Sequence, residues 1–153
     1  MKKSLPVNPR LSIFVYMKPI LATTILFLLI SCGNTEDVSY RKAEDAQDAA
    51  REFIRASLDG DYHKARYYML SDSSHQNQYL LERWKKNYDQ LPESEKQMFK
   101  DASIVVLNTH AENDSTSLFT YFNSYKKDTT TIKIVRLNGN WEVDLKEISN
   151  HHP

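Results

Sequence analysis

Five neighbouring residues contain the side-chain types of a hydrolytic triad: the segment Ser71-Asp72-Ser73-Ser74-His75 holds serine, aspartate and histidine. A catalytic serine needs a histidine to take its proton and a carboxylate to orient that histidine, and these groups usually come from distant loops. Residues adjacent in the chain do not readily adopt that geometry. Serine and aspartate oxygens do accept hydrogen bonds from free N–H groups where a helix begins. We therefore predict a helix-capping joint here and assign no catalytic residue.

The remaining histidines and the glycines offer no metal or phosphate site. His63 and His110 stand alone, without the i, i+4 partner that a metal site on a helix would show. The pair His151-His152 belongs to the C-terminal tail, where fraying is common. The three glycines are dispersed, so no glycine-rich loop can hold a phosphate. We predict neither a metal ion nor a cofactor.

Cys32, the only cysteine of the chain, follows an apolar stretch. Eleven uncharged residues, from Ile20 to Ile30, come after Lys18 and Pro19. A helix of eleven residues is about 16 Å long, whereas a bilayer core is about 30 Å thick. The stretch is therefore too short to span a membrane, and its length is typical of the apolar region of a signal peptide.

The residues Leu29-Ile30-Ser31-Cys32 resemble the lipobox of bacterial lipoproteins, with an aliphatic residue three before the cysteine and a small one directly before it. The resemblance implies cleavage between Ser31 and Cys32 and attachment of lipid to Cys32, which would anchor the protein in a membrane of the cell envelope. Because Gly33 rather than aspartate follows, the resemblance also implies the outer membrane in a cell that has two.

The charge is distributed unevenly along the 153 residues. Lysine and arginine total 20 and equal the acidic residues, but residues 1–31 hold four of the basic residues and no acid. The chain from Cys32 onward therefore has a net charge of −4, which disfavours nucleic acid as a partner. We predict a signal peptide at 1–31, a lipidated cysteine and polar tether at 32–40, one folded domain at 41–148 and a disordered tail at 149–153.

Aromatic residues form the remaining candidate site. They make up 11% of the chain, and tyrosine combines an apolar ring with a hydroxyl that needs a partner when it is buried. Five aromatic residues are the candidates for lining a ligand pocket: Tyr68, Trp84, Tyr88, Phe119 and Tyr121. The same spacing also fits an ordinary aromatic core, and the sequence leaves both alternatives open.

The first half of the folded domain has helical periodicity. Small and large apolar residues recur between Ala43 and Ser57, and Gly60 is suited to end that helix. Asp61 is expected to cap a second helix. A third helix carries an aromatic stripe that includes Tyr79, and Pro92 begins a short fourth one whose apolar contacts are Met98 and Phe99.

The second half has the periodicity of strands. Four segments are rich in β-branched and aromatic residues: 104–107, 118–125, 129–137 and 141–145. Asn138-Gly139 predicts a tight hairpin between the last two, because both residues tolerate positive φ. In the last strand, Glu142, Asp144 and Glu147 are predicted on the solvent face. Short links favour an antiparallel meander, so the fold class is α+β, with the helices on one face of a four-stranded sheet.

These motifs are similar to those of small bacterial lipoproteins in the nuclear transport factor two-like, or cystatin-like, superfamily. The similarity rests on Leu58-x-Gly60-Asp61-Tyr62 after the first helix and on Gly139-x-Trp141-x-Val143 in the last hairpin. It implies a cone, in which a curved sheet wraps a long helix and often leaves a pocket at its open end. Trp84 and Tyr88 are bulky enough to fill such a pocket.

The sequence thus predicts a membrane-anchored lipoprotein whose domain is a non-enzymatic binding module. Its partners would be the membrane, through lipid on Cys32, and either a protein or a small apolar ligand. The alternative is a small-ligand carrier or an isomerase-type enzyme that uses the cone pocket.

Overall fold

A computed structural model of the protein describes residues 39–151. Within that range, four helices precede four strands, as the periodicity predicted. The helices are α1 (Ala46–Asp59), α2 (Tyr62–Tyr67), α3 (Gln76–Asp89) and α4 (Glu93–Asp101). The strands are β1 (Ile104–Asn113), β2 (Thr116–Asn123), β3 (Thr129–Leu137) and β4 (Asn140–His151), which form one antiparallel sheet in chain order. None of the helices described in residues 39–151 is long and apolar enough to cross a membrane.

Helix α1 lies on the sheet and forms the centre of the core. Asp45 caps its start by accepting a hydrogen bond from the Asp48 amide, and Gly60 ends it in the left-handed conformation at φ 78°. The buried face of α1 includes Ala50, Phe53 and Ile54. This face packs against every strand of the sheet, where the fully buried side chains are those of Phe119, Ile132, Ile134 and Val143. The predicted α+β arrangement is confirmed.

The two tight connections predicted from the sequence are also confirmed. The Asp61 side chain accepts a hydrogen bond from the Lys64 amide at 2.9 Å, and this bond caps α2. Asn138 and Gly139 join β3 to β4 with φ values of 50° and 77°. Both positions therefore use the backbone freedom that the sequence indicated.

The chain after α2 covers the outer edge of β4. The Leu70 amide donates to the Val143 carbonyl at 2.9 Å, and the Val143 amide donates to the Tyr68 carbonyl at 2.8 Å. Residues 68–70 thus run parallel to β4 for one bridge, between Met69 and Val143. At the other edge of the sheet, β1 pairs within the described chain only with β2.

Asn77 connects α3 to β4 from a fully buried position. Its Oδ1 accepts the Leu145 amide at 2.8 Å, and its Nδ2 donates to the Leu70 carbonyl at 3.1 Å. Between Thr131 and Lys133 the pairing of β3 with β4 jumps from Ser149 to Asp144. This bulge directs the Leu145 amide away from the ladder, and Asn77 satisfies it.

Arg55 holds α4 against α1. Its guanidinium donates to the carbonyls of Ala102, Phe99 and Lys100 at 2.8, 3.2 and 3.1 Å, where α4 ends, and forms an ion pair with Asp59 at 2.9 Å. The Phe99 carbonyl also accepts the Ala102 amide at 3.2 Å, and the arginine supplies further donors to the carbonyls at this helix end, as a C-cap does.

Two apolar residues that helical periodicity predicted to be buried are exposed. Tyr79 is 63% exposed and Met98 is 49% exposed. On α3, the residues that face the core are instead Asn77, Leu81 and Trp84, because this face of the helix contacts β4. Helical spacing alone did not distinguish the two faces.

The strand predictions need three corrections. β1 continues to Asn113 and β2 begins at Thr116, so only a turn at residues 114–115 separates them, whereas the predicted segments 104–107 and 118–125 left a longer link. β4 continues to His151, so residues 149–151 belong to the strand and not to a tail. Asp144, predicted on the solvent face, is 7% exposed, because the bulge in β4 buries three successive residues and its carboxylate accepts the Lys146 amide at 3.1 Å.

Candidate functional site

A cleft of about 360 Å³, partly open to solvent, lies between the helices and one end of β2. Helix α1 contributes four residues of its C-terminal half to the wall, and α2 contributes Tyr62. The opposite wall is Trp84, Tyr88 and Leu91, from α3 and the residues after it. Phe99 of α4 and Tyr121 of β2 complete the apolar lining. Trp84 and Tyr88 therefore form a wall of the cleft and leave a space beside them.

The predicted aromatic cluster is divided between the cleft and the core. Trp84, Tyr88 and Tyr121 line the cleft, but Tyr68 and Phe119 are not among its lining residues. Phe119 is fully buried two residues before Tyr121 on β2, with the two ring centres 6.0 Å apart. Tyr68 follows α2 and its hydroxyl donates to the Arg41 carbonyl at 2.8 Å, so it is held at the N-terminal segment.

Aromatic rings of the cleft walls pack against one another in pairs. Ring centres lie 6.1 Å apart for Phe53 and Trp84, 5.9 Å for Tyr62 and Tyr88, and 6.4 Å for Tyr88 and Phe99. The Tyr62–Tyr88 contact is edge to face, an arrangement that aromatic pairs favour. These mutual contacts restrict the positions of the rings that line the cleft.

Burial favours the protonated form of the tyrosine hydroxyls in the cleft. It raises the pKa of Tyr62, Tyr88 and Tyr121 above the usual value for a phenol. All three therefore stay protonated at neutral pH. The Tyr88 hydroxyl is buried and has no hydrogen-bond partner among the described residues.

Glu95 and Lys126 form an ion pair at the mouth of the cleft. The Lys126 ammonium lies 2.7 Å from Glu95 Oε1, which also accepts the Tyr125 hydroxyl at 3.4 Å. The ammonium is 4.7 Å from the ring centre of Tyr125 and 5.6 Å from that of Phe99. The hydrogen bond between the pair lowers the pKa of Glu95 and raises that of Lys126, so both are charged at neutral pH.

Sequence reasoning missed this pair. Lys126 is one of two successive lysines in a short link, a pattern that indicates a solvated surface, and Glu95 lies in the first turn of α4, where the positive end of the helix is reason enough for an acid. The neighbouring Tyr125 was the available signal, because lysine ammonium groups pack on aromatic faces.

Two polar groups of the cleft lining are already engaged within the protein. The Ser57 hydroxyl donates to the Phe53 carbonyl of its own helix at 2.9 Å. Glu95, the carboxyl group of the lining, is held in its charged form by Lys126. Within residues 39–151, no three histidine, cysteine or acidic side chains are grouped to hold a metal ion.

The remaining predicted sites are placed as follows. In the Ser71–His75 segment, Asp72 accepts hydrogen bonds from the Ser74 hydroxyl and from the Gln76 and Asn77 amides, and so caps α3. Ser31 and Cys32 lie outside the described residues, as does the tether up to residue 38.

A solved structure has partial similarity to the chain. The chain resembles an NTF-2 like protein. That protein, from Shewanella oneidensis MR-1 and of unknown function, is 12% identical, and the match covers 63% of this chain and 89% of that one with a TM-score of 0.48. No family model and no curated protein matches the chain.

Proposed function

We propose that this protein is a lipid-anchored binding module of the bacterial cell envelope that holds a small, mainly apolar ligand in the aromatic cleft. The proposal of ligand binding is supported mainly by the cleft, which has a volume of about 360 Å³. Pockets for small molecules typically measure roughly 300–1,000 Å³ and combine apolar walls with a few polar groups. Here the charged groups of the lining are paired with each other at one rim, as Glu95 and Lys126.

The pKa shifts of the acidic side chains favour ligand binding over the isomerase alternative. A carboxyl group that abstracts a proton from a bound ligand works best in a dry pocket that raises its pKa. The acid of the cleft, Glu95, has a lowered pKa instead. Burial does raise the pKa of Glu142, but that residue borders a separate hollow of about 100 Å³ beside Trp141.

Neutral ligands with a ring or a chain test the cleft directly. The chain has two tryptophans, and the Trp141→Phe variant leaves Trp84 in the cleft wall as the fluorescent reporter. We expect 2-naphthamide and decanamide to change Trp84 emission in a saturable way in the full-length variant.

Two substitutions in the Trp141→Phe chain compare a filled cleft with an unfilled one. Ser57→Phe places a ring on the cleft wall and should abolish the saturable change in emission. The matched control, Ser94→Phe, lies at an exposed position of α4 and should leave it unchanged. Thermal unfolding would establish that both variants are folded. Equal saturation in the two variants would place the ligand elsewhere and contradict the proposal.

The anchor has its own test, in cells. The motivation is the lipobox-like sequence that ends at Cys32, and we expect Cys32→Ala to prevent lipid attachment and leave an uncleaved precursor. Intact-mass spectrometry of the membrane fraction would measure both events. Gly33→Ala should be lipidated and cleaved normally. A Cys32→Ala chain that is still cleaved and retained in the membrane would overturn the lipobox assignment.

A further inference from the structure

We propose, on the basis of the ligand-binding role above, that the cleft selects apolar molecules that end in a carboxylate, and that this carboxylate replaces Glu95 on the Lys126 ammonium. The ligand body would lie between the aromatic walls, and its charged end would lie at the rim. The inference follows from how the two members of the rim ion pair are held.

Lys126 has contacts that do not depend on Glu95. Its ammonium lies against the faces of Tyr125 and Phe99, at 4.7 and 5.6 Å from their centres. Cation–π attraction of this kind persists when the acid moves away. A positive charge therefore stays at the mouth of the cleft whichever anion accompanies it.

Glu95 is held less firmly. Its carboxylate is bonded to Lys126 at 2.7 Å and to the Tyr125 hydroxyl at 3.4 Å, and both bonds go to the same oxygen. The side chain is already 26% exposed, so a rotation would place the carboxylate in water. Exchange of one carboxylate for another on Lys126 leaves the number of charge-assisted hydrogen bonds unchanged.

The same geometry disfavours a cationic ligand. A cation would have to bind Glu95 while the Lys126 ammonium remained beside it on the two rings, and like charges at that distance repel. A second ammonium, that of Lys96, lies 6.0 Å from the ring centre of Tyr88. Lys96 is accompanied by the exposed Glu93, with 3.7 Å between the charged groups.

Two kinds of apolar body are compatible with the proposal, and matched pairs of ligands separate them. Flat rings would stack on Trp84 and Tyr88, and an acyl chain would follow the same walls. The probes are 2-naphthoate with 2-naphthamide, and decanoate with decanamide. Each pair differs in the charge of its head group, so the ratio of the two affinities isolates recognition of the carboxylate.

Titration of Trp84 fluorescence in the full-length Trp141→Phe chain, at pH 7.5, gives these ratios. We expect Glu95→Gln to raise carboxylate affinity about fivefold, because it frees Lys126, and Lys126→Met to lower it about tenfold. Binding of the amides should change less than about twofold in both variants. The larger response of one pair identifies a ring or a chain as the preferred body.

Two neighbouring substitutions serve as controls with the same change of charge. Lys127→Met and Asp101→Asn alter exposed residues next to the pair in sequence or on the same helix, and should leave the ratios unchanged. The inference is overturned if Glu95→Gln lowers carboxylate affinity, or if Lys127→Met weakens it as much as Lys126→Met. If the amides bind normally in that case, the ligand-binding role stands without the head-group preference. If none of the four probes binds, both are wrong.

Discussion

Replacing Asn77 with aspartate is expected to lower the free energy of unfolding by about 3 kcal/mol at pH 7. The side chain is fully buried, and its amide group donates to the Leu70 carbonyl. Aspartate keeps an acceptor for the Leu145 amide but cannot donate while it is ionised. Its charge would also lie near Asp72, whose carboxylate already accepts the amide of residue 77 at 3.2 Å.

The defect should shrink as the pH falls. Burial and the nearby acid raise the pKa of an aspartate at position 77 in the folded state above the value of about 3.9 in the unfolded chain. Between these two values the folded state binds more protons than the unfolded state, so the stability of the variant rises relative to wild type with decreasing pH. Below the folded-state value, the protonated carboxyl can donate to the Leu70 carbonyl.

Urea unfolding followed by circular dichroism at several pH values measures this difference. Asn87→Asp makes the same chemical change at an exposed position of α3, and should change the free energy of unfolding by less than about 0.5 kcal/mol. A pH-independent difference between wild type and Asn77→Asp would show that the amide donor of Asn77 does not matter.

Gly60→Ala is expected to cost about 3 kcal/mol, the other large effect on stability. Part of the cost is conformational, because φ at Gly60 is 78° and an L-residue there loses about 1–2 kcal/mol. The rest is steric. A methyl group at this position would lie 2.5 Å from Cε1 and 2.9 Å from Cζ of Tyr88, so the ring would have to move.

Gly139→Ala separates the two contributions. Gly139 has nearly the same φ, 77°, but the nearest atom to an added methyl group is the flexible Lys42 Nζ at 3.8 Å. We expect this variant to lose only about 1 kcal/mol. Thermal and urea unfolding of both variants would give the difference, and equal losses would mean that the ring of Tyr88 yields without cost.

The course of the chain was predictable where single residues determine the backbone. Gly60, Asp61 and the Asn138-Gly139 pair each act through local geometry, and the element boundaries near them were correct. Tyr79 and Asp144 were misplaced because burial depends on contacts between segments far apart in sequence. The bulge of β4 against β3, which buries Asp144, has no local signature.

The candidate site was predictable only in part for the same reason. Trp84, Tyr88 and Tyr121 have the residue types of a pocket wall, and they do line the cleft. Whether they enclose a space depends on the distance between α3 and β2, which their spacing does not report. The ion pair joins residues 31 positions apart, Glu95 and Lys126, and each alone is an ordinary surface charge.

The position of β4 has a consequence for the time at which the domain can fold. Residues 68–70 and helix α1 are separated from their partners on β4 by long stretches of chain. Because contacts between distant segments form slowly, the apolar face of α1 lacks its full cover until β4 has docked. We therefore expect closure of the core over α1 to be a late step in folding, after the helices and the hairpins have formed.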